Sequence, residues 1–457
     1  MSYSAAVHRC LLCALVAMAP VQARADGLSI VGGSPRSIGR AGAATVGDDG
    51  GGALLINPAA MARRSTTRVQ AGVSIIEDDV RWQTDAEGAP LSRGQAGSRI
   101  APIGAAIGAV GHWVLGIGAM TAGVAERSLA RPGDLHDLGS AYDYRYAGIA
   151  GSYRRDTLSI GAARRLGNSL ALGLSVGASR IAVTEHRRIW AGSDRREAIG
   201  DPTSDVDVVL SGSDAFSPSA VAGVLYAPED SQIELGASVS WARTATLDGS
   251  VTAVGSPPSG PAIERTGAAG AELVIRQPVT VRAGGRYVGD RVVAELDGDL
   301  WIARRSAASA AWAIDGVHVV DPTGLDAALA RVPSRVSQQT HVAMRVAVDV
   351  ELIPGFLWAT GGYALATLGT PASRLSPSFG DLGGHTLGLG VESTAGGCTV
   401  TLGWSRTWAQ SVAAQSALRL DNPFGTGDGG VSSGTYDGSI DQVGLLVEVE
   451  LGQSAAP

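Results

Sequence analysis

Two glycine-containing motifs have residue types and spacing that are typical of catalytic or phosphate-binding chemistry. The run 173–177, Gly-Leu-Ser-Val-Gly, matches G-x-S-x-G, which presents a nucleophilic serine where a strand turns into a helix. This run lies in the middle of an alternating strand pattern, so small residues on the inner face of a sheet explain it better. The run 425–430 matches G-x-G-x-x-G, but no helical pattern follows it to hold a pyrophosphate, and a surface loop is predicted.

Metal chemistry would need ligands at a characteristic spacing. The histidines beyond residue 25 are His112, His136, His186, His318, His341 and His385. No two of them have the spacing of metal ligands. No metal site, cofactor or catalytic residue is predicted, and the chain is not expected to be an enzyme.

The stretch 39–60 is too poor in side chains to build a core of its own. It holds six glycines and six alanines in twenty-two residues, and neither the helical nor the strand period runs through it. We therefore expect residues 26–64 to pack as a plug inside the rest of the chain, with glycines that let the backbone approach a wall closely. Pro58 fixes one backbone angle and biases Asn57 towards an extended conformation, so the Asn57 amide can bond backbone groups that strands leave unpaired.

The first 25 residues have the features of a secretory signal peptide. A basic start, an apolar run over 10–19 and the small-x-small site Ala23-Arg24-Ala25 predict cleavage before Asp26. Removal of this peptide leaves Cys398 as the sole cysteine, so no internal disulfide is predicted.

Composition restricts the remaining chain to a globular or membrane class. The sequence has 45% hydrophobic and 17% charged residues, 63 glycines and a net charge of -7, which excludes a disordered chain. Beyond the signal peptide no run approaches the roughly 18 apolar residues of a spanning helix. A membrane protein with this sequence must therefore be a β-barrel.

The strand pattern favours a barrel over a soluble sandwich. Residues 170–178 alternate Leu, Leu, Leu, Val and Ala on one face with Ala, Gly, Ser and Gly on the other. Charged residues such as Arg345 and Glu448 take the face opposite the aliphatic one, as expected where the aliphatic face meets lipid and the inside is polar. We expect Asp48 and Asp49 of the plug to meet interior arginines such as Arg282 or Arg345.

Fourteen strands are predicted, an even number that suits a single-chain bacterial barrel. Their approximate ranges are 66–80, 99–109, 112–124, 152–166, 169–187, 206–227, 231–248, 266–287, 290–304, 339–353, 355–368, 383–394, 397–411 and 437–452. The predicted fold class is an all-β, fourteen-stranded antiparallel transmembrane β-barrel over residues 65–457, with the plug in its lumen. Pro278 interrupts a strand pattern and predicts a bulge or kink.

Short turns and long loops alternate along these strands. The turns are at 110–111, 167–168, 228–230, 289–290, 354–355 and 395–397, and the long loops at 81–98, 125–151, 188–205, 249–265, 305–338, 369–382 and 412–436. Both chain ends then lie on the short-turn side, which is periplasmic in such barrels.

Three further features concern the loops and the strand ends. The basic run 186–190, with Arg195 and Arg196, is interpreted as solvated loop charge or as a contact for lipopolysaccharide phosphates. The loop 305–338 has apolar runs at 308–314 and 325–330, which predict a short amphipathic helix, either packed over the barrel mouth or receiving apolar ligands. Aromatic residues near strand ends predict interfacial girdles, with chance scatter as the alternative; they are Trp82, Trp113, Tyr226, Trp241, Tyr287, Trp301 and Trp408.

The N-terminal stretch also carries a family resemblance. Its Gly39-Arg40-Ala41, its paired acids and its Asn57-Pro58-Ala59, behind a signal peptide and ahead of a long barrel, resemble the hatch of FadL/TodX-type outer-membrane transporters of hydrophobic compounds. The runs 216–249, 277–284 and 354–363 resemble barrel segments of that family, more loosely.

The resemblance implies a function as well as a fold. It implies a plugged barrel in the outer membrane of a Gram-negative bacterium that passes hydrophobic molecules, long-chain fatty acids or hydrocarbons, by diffusion inward and sideways into the membrane. Outer-membrane lipid and lipopolysaccharide are further expected partners, nucleic acid is not, and a monomer is expected. A non-conducting structural or shuttle/assembly barrel is the alternative function. The implied hatch or gating residues are Gly39, Arg40, Asp48, Asp49, Asn57, Pro58 and Ala59, and the implied ligand contacts are Leu54, Leu55 and Ile56.

Overall fold

The structure, a computed structural model, describes residues 33–84, 92–93, 98–129, 142–193, 201–255, 261–304, 310–425 and 430–451. The predicted signal peptide lies outside these ranges, as do Arg195, Arg196, His136 and residues 426–429 of the G-x-G-x-x-G run.

Twenty strands account for most of the described chain. They are β1 Thr67–Gln83, β2 Ser92–Arg93, β3 Arg99–Val110, β4 Trp113–Ser128, β5 Ala150–Leu166, β6 Leu170–Trp190, β7 Asp205–Tyr226, β8 Ile233–Ala242, β9 Ala245–Gly255, β10 Ala262–Ile275, β11 Val279–Val288, β12 Val292–Ile302, β13 Ala311–Val320, β14 Asp326–Ala328, β15 Arg331–Pro333, β16 His341–Ile353, β17 Leu357–Ala366, β18 Gly384–Ala395, β19 Cys398–Ala414 and β20 Gly434–Leu451.

The helices are short. They are α1 Pro35–Gly39, α2 Tyr142–Ala147 and the 3₁₀ helices Gly51–Leu54, Pro58–Arg63, Pro202–Ser204 and Ala372–Arg374. In the part of the chain that the structure describes, no helix is long and apolar enough to cross a membrane.

The sheet closes on itself, which confirms the predicted barrel. Thr67 at the start of β1 lies opposite Leu451 at the end of β20, and every pairing around the wall is antiparallel. Fourteen positions make up the circuit, in the order β1, β3, β4, β5, β6, β7, β8, β11, β12, β16, β17, β18, β19 and β20. Glycines with positive φ, such as Gly111 and Gly167, stand at the tight turns that the sequence predicts.

Inward and outward side chains alternate as predicted. Leu172 and Leu174 of β6 are exposed on the outer face, while Ser175, between Leu174 and Val176, is buried. Leu235 and Val447 are exposed in the same way, on β8 and β20. Because period 2 puts alternate side chains on opposite faces, these aliphatic residues form the outer surface of the wall.

At two places around the wall the chain forms two consecutive strands instead of one continuous strand. Beyond these breaks, towards the end with the long connections, further strands extend the barrel. β8 gives way to β9 after Ala242, and β10 gives way to β11 around Pro278, as predicted for that proline. Above the breaks β9 pairs with β7 and β10, and β10 pairs with β13. An apolar cluster that includes Leu210 and Trp312 packs between these upper strands, at the end of the barrel with the long connections.

The predicted helix in 305–338 is wrong for the described residues of that loop. Most of the first apolar run belongs to β13, which adds a strand to β10, and half of the second belongs to β14, which pairs with β13. Apolar runs this short do not distinguish a helix from a strand, and the free edge of β10 decides the outcome.

The basic run 186–190 lies in a strand, so its interpretation as solvated loop charge is wrong, whereas a contact with lipopolysaccharide stays a prediction. β6 continues to Trp190, and Arg187 is fully buried between Glu185 and Asp421. The predicted girdle is only partly present: Trp113, Tyr226, Trp241 and Trp408 are exposed, whereas Trp82 and Trp301 are buried and face inward.

Candidate functional site

The N-terminal segment, defined here as residues 33–64, lies against inward-facing side chains of the barrel. Its helix α1 contacts β17, β18, β19 and β20, and its 3₁₀ helix Pro58–Arg63 contacts β4 to β7. The 3₁₀ helix Gly51–Leu54 contacts β3, β4 and β5. The segment therefore reaches the wall on more than one side of the lumen.

Two carboxylates of β12 hold the backbone of this segment. One oxygen of Glu295 accepts hydrogen bonds from the N–H groups of residues 46 and 47, at 2.7 and 3.0 Å. One oxygen of Asp297 accepts from those of residues 44 and 45, at 2.8 and 2.9 Å. The four N–H groups of residues 44–47, which lie outside the helices of the segment, are thereby satisfied by the wall.

Arg40 adds a buried ion pair to the same anchor. Its guanidinium lies 2.5 Å from Glu295 and 3.6 Å from Asp349, and only 2% of its side chain is exposed. A buried charge of this kind is tolerated only with partners, since removing one leaves an uncompensated charge.

Asn57 connects the segment to β7. It is extended, with φ -150° and ψ 95°, as the following Pro58 predicts. Its amide N–H groups donate to the carbonyls of Thr45, at 2.9 Å, and Val224, at 3.2 Å. Its oxygen accepts from the N–H of Ala59 at 3.2 Å and caps the 3₁₀ helix that begins at Pro58.

Asp49 is paired inside the N-terminal segment. Its carboxylate lies 2.6 Å from Arg64 and 3.4 Å from Arg36. Burial alone would raise the pKa of Asp49, but the positive charges of Arg64 and Arg36 outweigh burial and hold it below its ordinary value.

Asp48 has weaker electrostatic support than its neighbour. It accepts hydrogen bonds from the Ser34 hydroxyl at 3.1 Å and the Gly50 N–H at 3.0 Å. Burial raises the pKa of Asp48, and the opposing charge of Arg36 offsets this only in part.

The expectation that Asp48 and Asp49 meet Arg282 or Arg345 is therefore wrong. Arg345 pairs with Asp299, and Arg282 lies 3.9 Å from the same carboxylate. These two arginines of the wall already have an acid on a neighbouring strand, and the two acids of the segment find partners close by.

Glycines of the wall make room for the segment. A Cβ added at Gly223 would collide with the side-chain oxygen of Asn57, and one added at Gly362 would collide with the backbone of Arg40. Further wall glycines with such close neighbours in the segment are Gly173, Gly388, Gly403 and Gly444. Sequence reasoning singled out glycines of the segment and missed these; their recurrence at inward positions of β17 to β19 was the available signal.

The three apolar residues expected to contact a ligand do not share one environment. Leu54 packs in a buried cluster with Met61, and its carbonyl accepts from the Ser175 hydroxyl at 2.6 Å. Ser175, the serine of the G-x-S-x-G run, is thus part of the wall. Leu55 and Ile56 line a cavity of about 150 Å³ in the lumen.

A break in the wall lies beside this cavity. β3 pairs with β4 only from Val110 down to Ile103, which lies opposite Met120. β3 continues to Arg99 along β1, and β4 continues along β5. The first position of β3 without a β4 partner is Pro102, which has no backbone N–H to offer.

The strand after the break also carries a bulge. Thr121 lies opposite Asp156 and Gly123 opposite Arg155, so Ala122 is an extra residue on β4. Ala122, Gly123 and Arg155 line the cavity, so the break and the cavity adjoin.

Arginine side chains bridge the two sides of the break. Arg154 donates to the Thr121 hydroxyl at 3.1 Å and to the carbonyl of Ile100 on β3 at 3.4 Å. Arg127 of β4 donates to Asp78 of β1 at 3.1 Å. Side chains thus connect strands whose backbones do not pair there.

A sequence comparison identifies the family. The model of the family described as outer membrane protein transport protein (OMPP1/FadL/TodX) matches residues 16–287, more than half of the 457-residue chain. The chain belongs to this family. The match covers the N-terminal segment and the strands as far as β11, and it confirms the resemblance predicted from the hatch motif.

Solved structures of OMPP1/FadL/TodX proteins share the fold. A Pseudomonas aeruginosa FadL homologue superposes with a TM-score of 0.71 at 13% identity, covering 93% of this chain and 100% of that one. The Pseudomonas putida toluene transporter TodX gives 0.64 at 12% identity, covering 93% and 99%. The Ralstonia pickettii toluene transporter TbuX gives 0.62 at 14% identity, covering 92% and 99%. No protein with a curated description matches this chain in sequence.

Membership of the OMPP1/FadL/TodX family assigns the barrel to outer-membrane transport, and the family is one of transport proteins rather than enzymes. Within the described ranges, no group of three or more histidine, cysteine or acidic side chains is arranged to hold a metal ion.

Proposed function

We propose that this protein is a passive channel through which hydrophobic molecules, fatty acids or hydrocarbons, enter from outside and leave sideways into the outer membrane. The observation that carries the proposal is that β3 and β4 no longer pair with each other beyond Ile103 on β3 and Met120 on β4. Unpaired strand edges are costly in a closed barrel, because each unpaired backbone group in lipid costs several kcal/mol, on the order of 2–7. An exit into lipid at this point spares an apolar molecule from passing through water.

The N-terminal segment serves as the plug in this proposal. Gly39 and Arg40 hold it near β12 and β17 to β20, and Asn57 with Pro58 and Ala59 holds it to β7. Asp48 accepts hydrogen bonds from Ser34 and Gly50 within the segment. Leu55 and Ile56 present apolar surface to the cavity, whereas Leu54 is committed to the wall. Asp49 forms ion pairs with Arg36 and Arg64 inside the segment, and these support the role of the segment as a gate.

Deleting Ala122 tests the exit. The deletion removes the extra residue that β4 carries opposite β5, two positions beyond Met120, the last β4 residue paired with β3. We expect the straightened β4 to extend its pairing with β3, so protein-dependent uptake of radiolabelled toluene and dodecanoate by whole cells should fall to background. Deleting Leu352 is the matched control, because it removes a one-residue bulge between Glu351 and Ile353 next to a turn. Uptake that survives the Ala122 deletion, with folding verified by heat-modifiable gel mobility, contradicts the lateral exit.

A non-conducting structural or shuttle/assembly barrel is the second candidate. The bonding of the segment at residues 44–47 and Asn57 favours it, since a permanently fixed plug conducts nothing. Equal uptake of fatty acids, alkanes and aromatics by deletion and wild-type strains would support this candidate and reject transport.

We also infer the orientation and the surroundings of the barrel. β1 begins and β20 ends at the edge with the short turns, which supports periplasmic chain ends. Outer-membrane lipid and lipopolysaccharide surround a single barrel in this proposal, and the protein acts as a monomer. Protease cleavage of an epitope tag at the C-terminus only after the outer membrane is permeabilised is the expected result.

A further inference from the structure

We propose that the cavity beside the wall break binds the carboxylate of a small aromatic acid of about the size of benzoate. This inference rests on the proposed function, because the cavity lies on the proposed path from the lumen to the exit. It goes beyond that function by assigning a charge and a size to the ligand.

The size of the cavity sets the first limit. Its volume is about 150 Å³, and an engineered cavity of that volume in another protein accepts benzene. A single aromatic ring with one small substituent fits such a space, whereas a long-chain fatty acid extends well beyond it.

The charges of the lining set the second limit. Three arginines, Arg155, Arg282 and Arg345, line the cavity, and Asp299 is the only acidic residue among its lining residues. Asp299 pairs with Arg345 and lies 3.9 Å from Arg282. Arg155 donates to the Ser179 hydroxyl at 3.1 Å, and no carboxylate of the described residues lies within 4.0 Å of it. The lining therefore carries excess positive charge, and a guanidinium suits the geometry of a carboxylate.

The aromatic and aliphatic side chains of the lining suit the ring of the proposed ligand. Trp301 lines the cavity and is 7% exposed, with its ring stacked on His341 at a centroid distance of 4.5 Å. Leu55 and Ile56 contribute apolar surface from the N-terminal segment. A ring between such side chains and a carboxylate at the arginines would satisfy both kinds of surface.

Arg155 also adjoins the proposed exit. It lies in register with Gly123, directly after the bulge in β4. An aromatic carboxylate, ionised at neutral pH, gains a charge–charge attraction from this arginine that a neutral hydrocarbon does not. Arg155 is thus assigned as a specificity-determining residue.

Uptake of radiolabelled benzoate, toluene and dodecanoate at pH 7 tests the inference, in a host without general porins that expresses each variant. The wild type is expected to accelerate benzoate uptake, and Arg155→Gln to lower the ratio of benzoate to toluene uptake about fivefold, the effect of about one charge contact. Arg155→Lys should restore most of the ratio. Arg164→Gln is the control, because Arg164 lies on the same strand but stacks on Trp113 outside the cavity.

The outcomes separate this inference from the proposed function. Protein-dependent uptake of toluene or dodecanoate without benzoate uptake overturns the aromatic-acid site and leaves the channel standing. An equal fall in the ratio for Arg155→Gln and Arg164→Gln overturns the role of Arg155. Uptake that is independent of the protein for all three compounds overturns both.

Discussion

The guanidinium of Arg40 lies 2.5 Å from the carboxylate of Glu295, so a residue near the start of the chain is fixed to the middle of the barrel wall. The same carboxylate accepts two backbone N–H groups of the N-terminal segment. One side chain of β12 thus neutralises a buried cation and satisfies part of an irregular backbone.

Replacing Glu295 by glutamine is expected to release the segment. The variant leaves Arg40 buried without its closest negative charge, and breaking a buried pair costs about 3–5 kcal/mol. Hydrogen exchange in detergent micelles should show lost protection for the amides of residues 44–47 while the strands stay protected. Glu450→Gln is the control, because its partner Arg68 is 26% exposed. Unchanged protection in Glu295→Gln would show that the anchor lies elsewhere.

Two adjacent glycines of β17 provide a matched pair of substitutions. Gly362→Ala places a methyl group against the backbone of Arg40, whereas Gly361→Ala meets no heavy atom within 4 Å. We expect Gly362→Ala to displace the segment and to make porin-deficient cells sensitive to a large hydrophilic antibiotic, and Gly361→Ala to behave like the wild type. Equal sensitivity of the two variants would rule out close packing at Gly362 as the cause.

Removal of the segment is expected to open the lumen without unfolding the wall. A protein that lacks residues 26–62 retains every strand pairing of the barrel, so it should keep its heat-modifiable gel mobility. In liposomes it should release small hydrophilic dyes that the full-length protein retains. A folded but dye-tight truncation would contradict the plug.

The two neighbouring acids should respond to pH with opposite signs. The lowered pKa of Asp49 means that its contribution to docking is present above about pH 4, its ordinary pKa, and is lost as the pH falls through the lower value of the docked state. The raised pKa of Asp48 favours its protonated form, so its contribution is lost as the pH rises.

Conductance across planar bilayers measures this difference. Wild-type conductance should increase as the pH falls below about 4, Asp49→Asn should already be leaky at pH 7, and Asp48→Asn should remain tight at pH 7. A higher conductance at pH 7 for Asp48→Asn than for Asp49→Asn would reverse the predicted signs.

The parts of the fold that depend on neighbouring residues could be predicted from the sequence. Alternation such as that around Leu172 and Leu174 is a local pattern. It shows which side chains form the outer face, and the count of such segments gives the number of strands. Gly111 and Gly167 mark tight turns because a positive φ suits glycine, and Pro278 marks a break because it cannot donate.

Features that depend on which distant residues meet could not be predicted in this way. The fit of Gly362 against Arg40 requires the register of β17 and the path of the segment together. The same holds for the partners of Asp49, for which arginines of the segment compete with arginines of the wall. The break between β3 and β4 follows from pairing that ends at Ile103, just before Pro102, a residue that looks like any other strand proline in the sequence.

The partners of the N-terminal segment have a consequence for biogenesis. The segment is synthesised first, yet its anchors lie on strands made much later, with Glu295 at a separation of 255 residues and further contacts on β18, β19 and β20. Its docking site exists only after the last strand has joined the first, since closing such long loops precedes any gain from the contacts. The segment therefore docks only after these strands are in place, and until then the lumen of an assembling barrel lacks this segment.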